Sequence, residues 1–347
     1  MPEVMHATCP GVRRCAALSR LLRCRNGNGL SRHDRCKMGR MNHLRLLRYV
    51  DEVARVGSIR QAAERLHVAP SAVNRRIQDI EDELGTPVFE RLPRGMRLTA
   101  AGELFVRYIR GRAAELERVR SEIEELQGLR RGSVRLVASQ ALAPKFLPGV
   151  IGEFRKTHPL VGFDIRIGDH VQAASALRSF ETDLALVFNL APETDIQRAI
   201  VVEQKLMAIL HARHPLAAGA ATSLRLRDCA EYPVVLPNRD TGGRQLLERF
   251  LARSSTRLNA MVESNSFEFL RGCLEDRQSI SFQMAIGAAS DDRNIVARDI
   301  EDRGFPKGEL VLASLRGRQL PVIAYAFAEF LRKRLGPLGG GEPHAAR

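Results

Sequence analysis

Ser71, Asn74, Arg75 and Gln78 recur at three- and four-residue spacing, so on a helix they share one face. Hydroxyl, amide and guanidinium groups are the side chains that meet base edges and phosphate oxygens. A plain amphipathic surface helix more often shows Glu and Lys there. Arg76 stands beside them, and Pro70 suits a first helical position. Asp79, Glu81, Asp82 and Glu83 come late, against the helix dipole but away from the end that a recognition helix presses into a groove. Arg91, Arg94 and Arg97 follow around a Pro93-Arg94-Gly95 turn. A solvated turn is the plain reading; three arginines beside such a helix favour a wing on the phosphate backbone.

Whole-chain charge agrees with a polyanionic partner. The 347 residues hold 54 Lys and Arg against 40 Asp and Glu, a net +14. Length allows two or three domains, and 44% hydrophobic residues can bury a core. Residues 1–40 are strongly basic, from Arg13 and Arg14 to Lys37 and Arg40. They are expected to form a disordered arm that adds non-specific DNA affinity, or to precede a true start at Met38 or Met41. Cys9, Cys15, Cys24 and Cys36 in this arm lack any C-x-x-C pair, so a zinc site is not expected. Cys229 and Cys273 read as reduced thiols, which fits the cytoplasm. No apolar run reaches about eighteen residues, so no membrane partner is expected.

These side chains need elements to position them. Leu46, Leu47, Val50, Val53 and Ala54 predict a helix over 43–56, ended by Gly57. Ser58 suits an N-cap for a second helix over 59–66, with a further place at the DNA. After a short break, the third helix spans Pro70–Leu84 with Val73, Ile77, Ile80 and Leu84 as its buried stripe. Val88-Phe89 and Met96–Leu98 are strand candidates, so residues 41–98 read as a winged helix-turn-helix. Thr99 opens a linker helix within 99–130. Its Ile109, Ala113, Leu116, Val119, Ile123 and Leu126 nearly follow a heptad and predict a dimerising seam. Gly128–Gly132 reads as a hinge. From 133 to 335 strands and helices alternate, implying α/β sheets covered by helices. The tail, 336–347, is rich in Gly and Pro and is expected to be disordered.

The stretch GSIRQAAERLHVAPSAVNRRIQDIEDELGTPVFERLPRGMRLTAAG resembles the DNA-binding domain of LysR-type transcriptional regulators. The resemblance rests on element order, E-x-E-L-G at 81–85, F-E-R at 89–91 and L-T-x-A-G at 98–102. Asn74 stands where that family most often has Ser, and Ala69-Pro70-Ser71 replaces its common Ser-Gln-Pro. The resemblance implies antiparallel linkers in a homodimer or tetramer. It also implies a two-lobed effector domain like periplasmic binding proteins, with lobe I over 133–200 and 293–335 and lobe II over 201–292. RNA polymerase is a further expected partner.

Ligands of open α/β sheets bind outside the carboxyl ends of the strands. Ser139, Gln140, Asp169, His170, Asn189, Asn238 and Ser266 fall at those ends and are the expected effector residues. Ser266 begins a helix, and with hydroxyls and amides around it a small carboxylate is the expected ligand. Asp169 argues against an anion unless His170 pairs with it. No phosphate-loop, nucleophile-elbow or zinc-protease motif is present, so no catalytic residue, cofactor or metal is assigned. Gly242-Gly243 after Asp240-Thr241 resembles a phosphate loop only faintly, and His211-x-x-His214 reads as a strand-end turn. Two rival readings stand beside a sequence-specific regulator: a non-specific architectural DNA-binding protein, and an enzyme or solute-binding protein with an accessory N-terminal domain.

Overall fold

The computed structural model describes residues 42–93, 95–127, 131–218, 222–288 and 292–339. The basic arm, Arg94 and the end of the tail lie outside these. Three helices come first: α1 (Asn42–Val56), α2 (Ile59–Leu66) and α3 (Pro70–Leu84). Val50, Val53, Ala62, Ala63, Val73, Ile77 and Ile80 bury against one another, and the small alanines let α2 approach closely. Ser58 Oγ caps α2 by accepting from Gln61 N at 3.4 Å. Left-handed His67 and Gly85 end α2 and α3. Leu84 leaves the expected stripe and is 43% exposed, because the core ends one turn earlier.

The wing pairs β1 (Phe89–Leu92) with β2 (Gly95–Leu98) in antiparallel register. Glu81 Oε1 fastens it to α3, accepting from Val88 N at 2.8 Å and Phe89 N at 3.0 Å. The long helix α4 (Ala100–Leu126) starts on a Thr99 cap, whose Oγ1 accepts from Gly102 N at 3.0 Å. Gly102 sits so close to β1 that a Cβ there would lie 2.0 Å from Val88 O.

Ile109 is not part of a free seam. With Val106 it fills the helical core, because the first turns of α4 pack on α1. The large apolar residues that α4 leaves exposed are Leu104, Tyr108, Val119, Ile123 and Leu126, with Ala113 exposed and Leu116 half-buried between them.

The remaining chain alternates strands and helices: β3 (Arg131–Ala138), α5 (Phe146–Thr157), β4 (Leu160–Ile167), α6 (His170–Arg178), β5 (Leu184–Phe188), β6 (Ile196–Gln204), β7 (Leu206–His211), β8 (Ser223–Leu224), α7 (Leu226–Cys229), β9 (Pro233–Pro237), α8 (Gly242–Leu251), β10 (Asn259–Ser264), α9 (Phe267–Cys273), β11 (Ile280–Met284), α10 (Ala285–Ala288), β12 (Ile295–Ile300), β13 (Gly308–Leu315) and α11 (Val322–Leu335). They build two sheets, β4-β3-β5-β13-β6 and β10-β9-β11-β7-β12-β8. In each, three neighbouring strands run parallel and the next is antiparallel.

The lobe boundaries differ from the sequence expectation. The apolar run 201–210 is divided between two strands, β6 and β7. β6 pairs along β13 from Ile196↔Leu315 to Gln204↔Gly308, so it belongs to lobe I. After Lys205 the chain enters lobe II as β7. β12, assigned to lobe I from the sequence, pairs with β7 and β8 in lobe II. The chain returns only after Ile300. Two adjacent crossovers therefore join the lobes, and Lys205–Asp299 (2.8 Å) and Lys307–Glu203 (2.5 Å) ion pairs flank them.

Gly102→Ala tests the helix–wing approach. Overpacking against a backbone carbonyl should destabilise the N-terminal domain by about 1–3 kcal/mol. Thermal unfolding followed there should show the loss; an unchanged melting temperature would contradict the close contact.

Candidate recognition surface and interlobe cleft

Ser71, Arg75, Arg76 and Gln78 are exposed along α3, and Pro70 is exposed at its start. Asn74 is half-buried because Arg91 Nη2 donates to its Oδ1 at 2.7 Å, tying wing to helix. That bond leaves the Asn74 amide nitrogen as the outward donor. Arg76 pairs with Asp79 at 3.2 Å, and Arg97 with Glu90 at 2.7 Å. Arg75 has no ion pair among the described residues, which leaves its guanidinium available to an incoming anion. The Ser58 hydroxyl oxygen accepts in the α2 cap and keeps its proton to donate.

Between the lobes lies a cleft of about 370 Å³. It opens at the carboxyl ends of β3, β4 and β5 on one side and of β9, β10 and β11 on the other, as parallel strands dictate. Ser139, Gln140, Asp169 and His170 line it. Ser139 Oγ accepts from Phe188 N at 3.2 Å and keeps its proton to donate. Asp169 caps α6, accepting from Gln172 N at 2.8 Å in a reciprocal capping box, so its charge is already engaged.

Asn189, Asn238 and Ser266 do not line the cleft. Asn189, at φ 55°, bridges the lobes instead. Its Nδ2 donates to Gly242 O at 3.1 Å, and its backbone N donates to Glu309 O at 2.7 Å. Gly242 packs so tightly on this bridge that a Cβ would lie 2.5 Å from Phe188 Cβ. The Asn238 carbonyl builds a turn by accepting from Thr241 N and Oγ1. Ser266 caps α9, accepting from Phe269 N at 3.2 Å, and its neighbour Asn265 lines the cleft. A second, open groove of about 600 Å³ runs past Asn189 and is lined by Arg239, Gln245, Glu248 and Arg249. It is the more open of the two, so the more enclosed cleft is the better ligand site. Sequence reasoning missed Thr241, Gly242, Gly243 and Gln283, which line the cleft from lobe II. The glycine pair was the available signal; Gln283 lies inside a buried strand and gave none.

Two family models cover the chain. "Bacterial regulatory helix-turn-helix protein, lysR family" matches residues 44–103, and "LysR substrate binding domain" matches 127–336. The chain belongs to the LysR family of transcriptional regulators. It is 30% identical to the RuBisCO operon transcriptional regulator of Allochromatium vinosum, over 83% of this chain and 95% of that protein. It is 25% identical to the transcriptional activator CmpR of Synechocystis, over 80% and 91%. Full-length OxyR from Pseudomonas aeruginosa, a cysteine variant, shares the fold at TM-score 0.64 and 22% identity, covering 83% of this chain and 94% of that one. CbnR in complex with its target DNA shares it at TM-score 0.59 and 18% identity, covering 84% and 99%. This LysR-family chain is a DNA-binding regulator with an effector domain, not an enzyme.

Its linker helix is keyed to lobe I by charge. Arg110 Nε donates to Asp51 of α1 at 2.7 Å, and Nη1 donates to Glu181 of lobe I at 2.8 Å. Gly111 beside it packs on the Phe180 ring. Glu117 of α4 meets Arg135 at 3.1 Å, and Arg135 also binds Asp183. Burial raises the Glu117 pKa above its ordinary value, and Arg135 works against that rise. Burial lowers the Arg318 pKa despite its bond to Asp183.

His214 is a core residue. Its Nδ1 accepts from Leu216 N, and its Nε2 lies 3.0 Å from Gln278 O. Among the described residues no His, Cys, Asp and Glu group could hold a metal. Burial pushes the Cys229 thiol up to about 12, with Asp228 and Asp302 adding to the rise. At pH 8 it is therefore protonated and should resist alkylation in the folded protein. Peptide mapping after brief iodoacetamide treatment should find Cys229 unmodified unless denaturant is present. Rapid native labelling would contradict its burial.

Proposed function

We propose that this regulator binds a two-part operator as a homodimer through α3 and the wing, in the cytoplasm, and that a small acid in the interlobe cleft controls it. The observation that carries the reading is the pairing of an exposed polar face on α3 with an enclosed cleft at the strand ends. Ser71, Asn74 and Arg75 read bases, while Pro70, Arg76 and the Arg91–Asn74 link set the helix against phosphates. Arg94, which stands between β1 and β2 in the sequence, is a further phosphate contact in this reading, and Ser58 fixes the entry of α2. The mechanism is population shift: an acid favours one lobe arrangement, which resets the angle between paired recognition helices.

Exposed apolar side chains support the assembly. Val119, Ile123 and Leu126 of α4, with Leu116, suit an antiparallel partner helix. The edge strands β4 and β10 and their neighbouring helices expose Ile167, Val171, Met261 and Phe269, which suits a second interface and a tetramer. RNA polymerase is the partner through which an activator would act. No helix among the described residues is long and apolar enough to cross a membrane.

Selection of bound duplexes from random DNA at fixed salt tests the reading. Enrichment of a paired half-site is expected; recovery without sequence preference would favour the architectural alternative. Arg75→Ala should weaken binding to the selected site by roughly 1–3 kcal/mol while the domain stays folded. An unchanged affinity would remove Arg75 from the interface. A double variant, Leu116→Asp and Ile123→Asp, should sediment as a monomer, because unpaired charge is costly at an apolar interface. An intact dimer would place the contact elsewhere.

A further inference from the structure

Gln283 in β11 is 3% exposed and lines the cleft, yet its Nε2 has no hydrogen-bond partner among the described residues. The orientation of its amide follows from chemistry. Arg271 Nη2 can only donate, and it lies 3.4 Å from Gln283 Oε1. The same nitrogen donates to Gly287 O at 2.8 Å, which holds the guanidinium in place. The rest of the amide is therefore a donor. A buried donor without an acceptor is unfavourable, and a ligand oxygen would relieve it.

The start of α8 borders the same cleft through Thr241, Gly242 and Gly243. This ten-residue helix has no side-chain cap, because Thr241 Oγ1 donates to Asn238 O at 2.8 Å instead. By contrast Asp169 closes α6 and Ser266 closes α9. Free N–H groups at the positive end of a helix favour an anion. Asp169 and Asp240 line the cleft and, among the described residues, no Lys or Arg does, so one negative charge is tolerated better than two.

We propose that Gln283 and the N-terminus of α8 form a lobe II subsite for a single carboxylate of the effector, with Arg271 as the residue that positions the amide. The proposal rests on the cleft being the effector site. It moves the acid-binding end from Ser266 to the neighbouring helix and names Gln283 as the side chain that tells an acceptor from a donor.

The test uses the full-length protein with acetate and benzoate as carboxylate probes, benzamide as a neutral isostere, phosphate and sulfate as alternative anions, and chloride at matched ionic strength. The readout is the melting temperature as a function of probe concentration. Gln283→Leu and Gln283→Glu must first melt cooperatively in chloride. A carboxylate should stabilise wild type, and both variants should need on the order of tenfold to a hundredfold more of it. Arg271→Met should free the amide to turn and narrow the preference for benzoate over benzamide, whereas Arg271→Lys should restore it. Equal carboxylate titrations in wild type and Gln283→Leu overturn the proposal. So does the absence of any carboxylate shift, or stronger stabilisation by phosphate or sulfate. A cation or sugar that alters operator binding while acids do nothing overturns the subsite but leaves the regulator reading in place. Failure to select any operator overturns that reading itself.

Discussion

Asp183 is wholly buried, and its carboxylate is held by four hydrogen bonds: three from Arg135, at its backbone N, Nε and Nη2, and one from Arg318. A charge in that position is tolerated only because both oxygens are satisfied; loss of one partner would leave an uncompensated buried ion. Arg135 then reaches Glu117 on the linker helix, so the ion cluster that stabilises the edge of lobe I also sets the angle at which α4 docks. Arg110 repeats the device one face away, joining Asp51 of the DNA-binding domain to Glu181 of lobe I. Through these contacts α4 is bonded both to α1 of the DNA-binding domain and to lobe I.

Lobe II is attached differently. It meets lobe I through two crossovers, through Asn189 and Gly242, through Gln204, whose Oε1 accepts from Ile286 N at 3.0 Å, and through apolar packing such as Met284 and Leu246 against Gly308. Strand crossovers can absorb rotation in a few backbone dihedrals without disturbing either sheet. A ligand that touches Ser139 on one side and Gln283 on the other therefore acts on the relative position of the lobes. Because lobe I is bonded to α4, a change in lobe position would be passed to the DNA-binding domain through that helix.

The helix-turn-helix was legible because its signals are local. Caps at Ser58 and Thr99, Pro70 at a helix start and one apolar stripe on α3 all lie within a turn or two of what they specify. Lobe membership was not legible. β6 and β13 pair across more than a hundred residues, and nothing in the apolar run around Lys205 says that its halves join different sheets. Ile109 fitted a seam by spacing and the core by packing, and spacing cannot choose between them. Half of the cleft was readable, since Ser139, Gln140, Asp169 and His170 follow parallel strands. Gln283 escaped because a polar residue inside a fully buried strand shows its meaning only when its partners are seen.

The ion pairs between lobe I and α4 are expected to carry the ligand signal to the DNA. Spin labels at Glu83, which is exposed on α3, allow the distance between the two α3 helices of the proposed dimer to be measured on operator DNA. The carboxylate probe that stabilises the protein should shift this distance in wild type. In a chain carrying Arg110→Gln and Glu117→Gln, which keeps the helix but loses the ion pairs to lobe I, the shift should vanish or broaden into a wide distribution. The same sharp shift in both proteins would contradict the account.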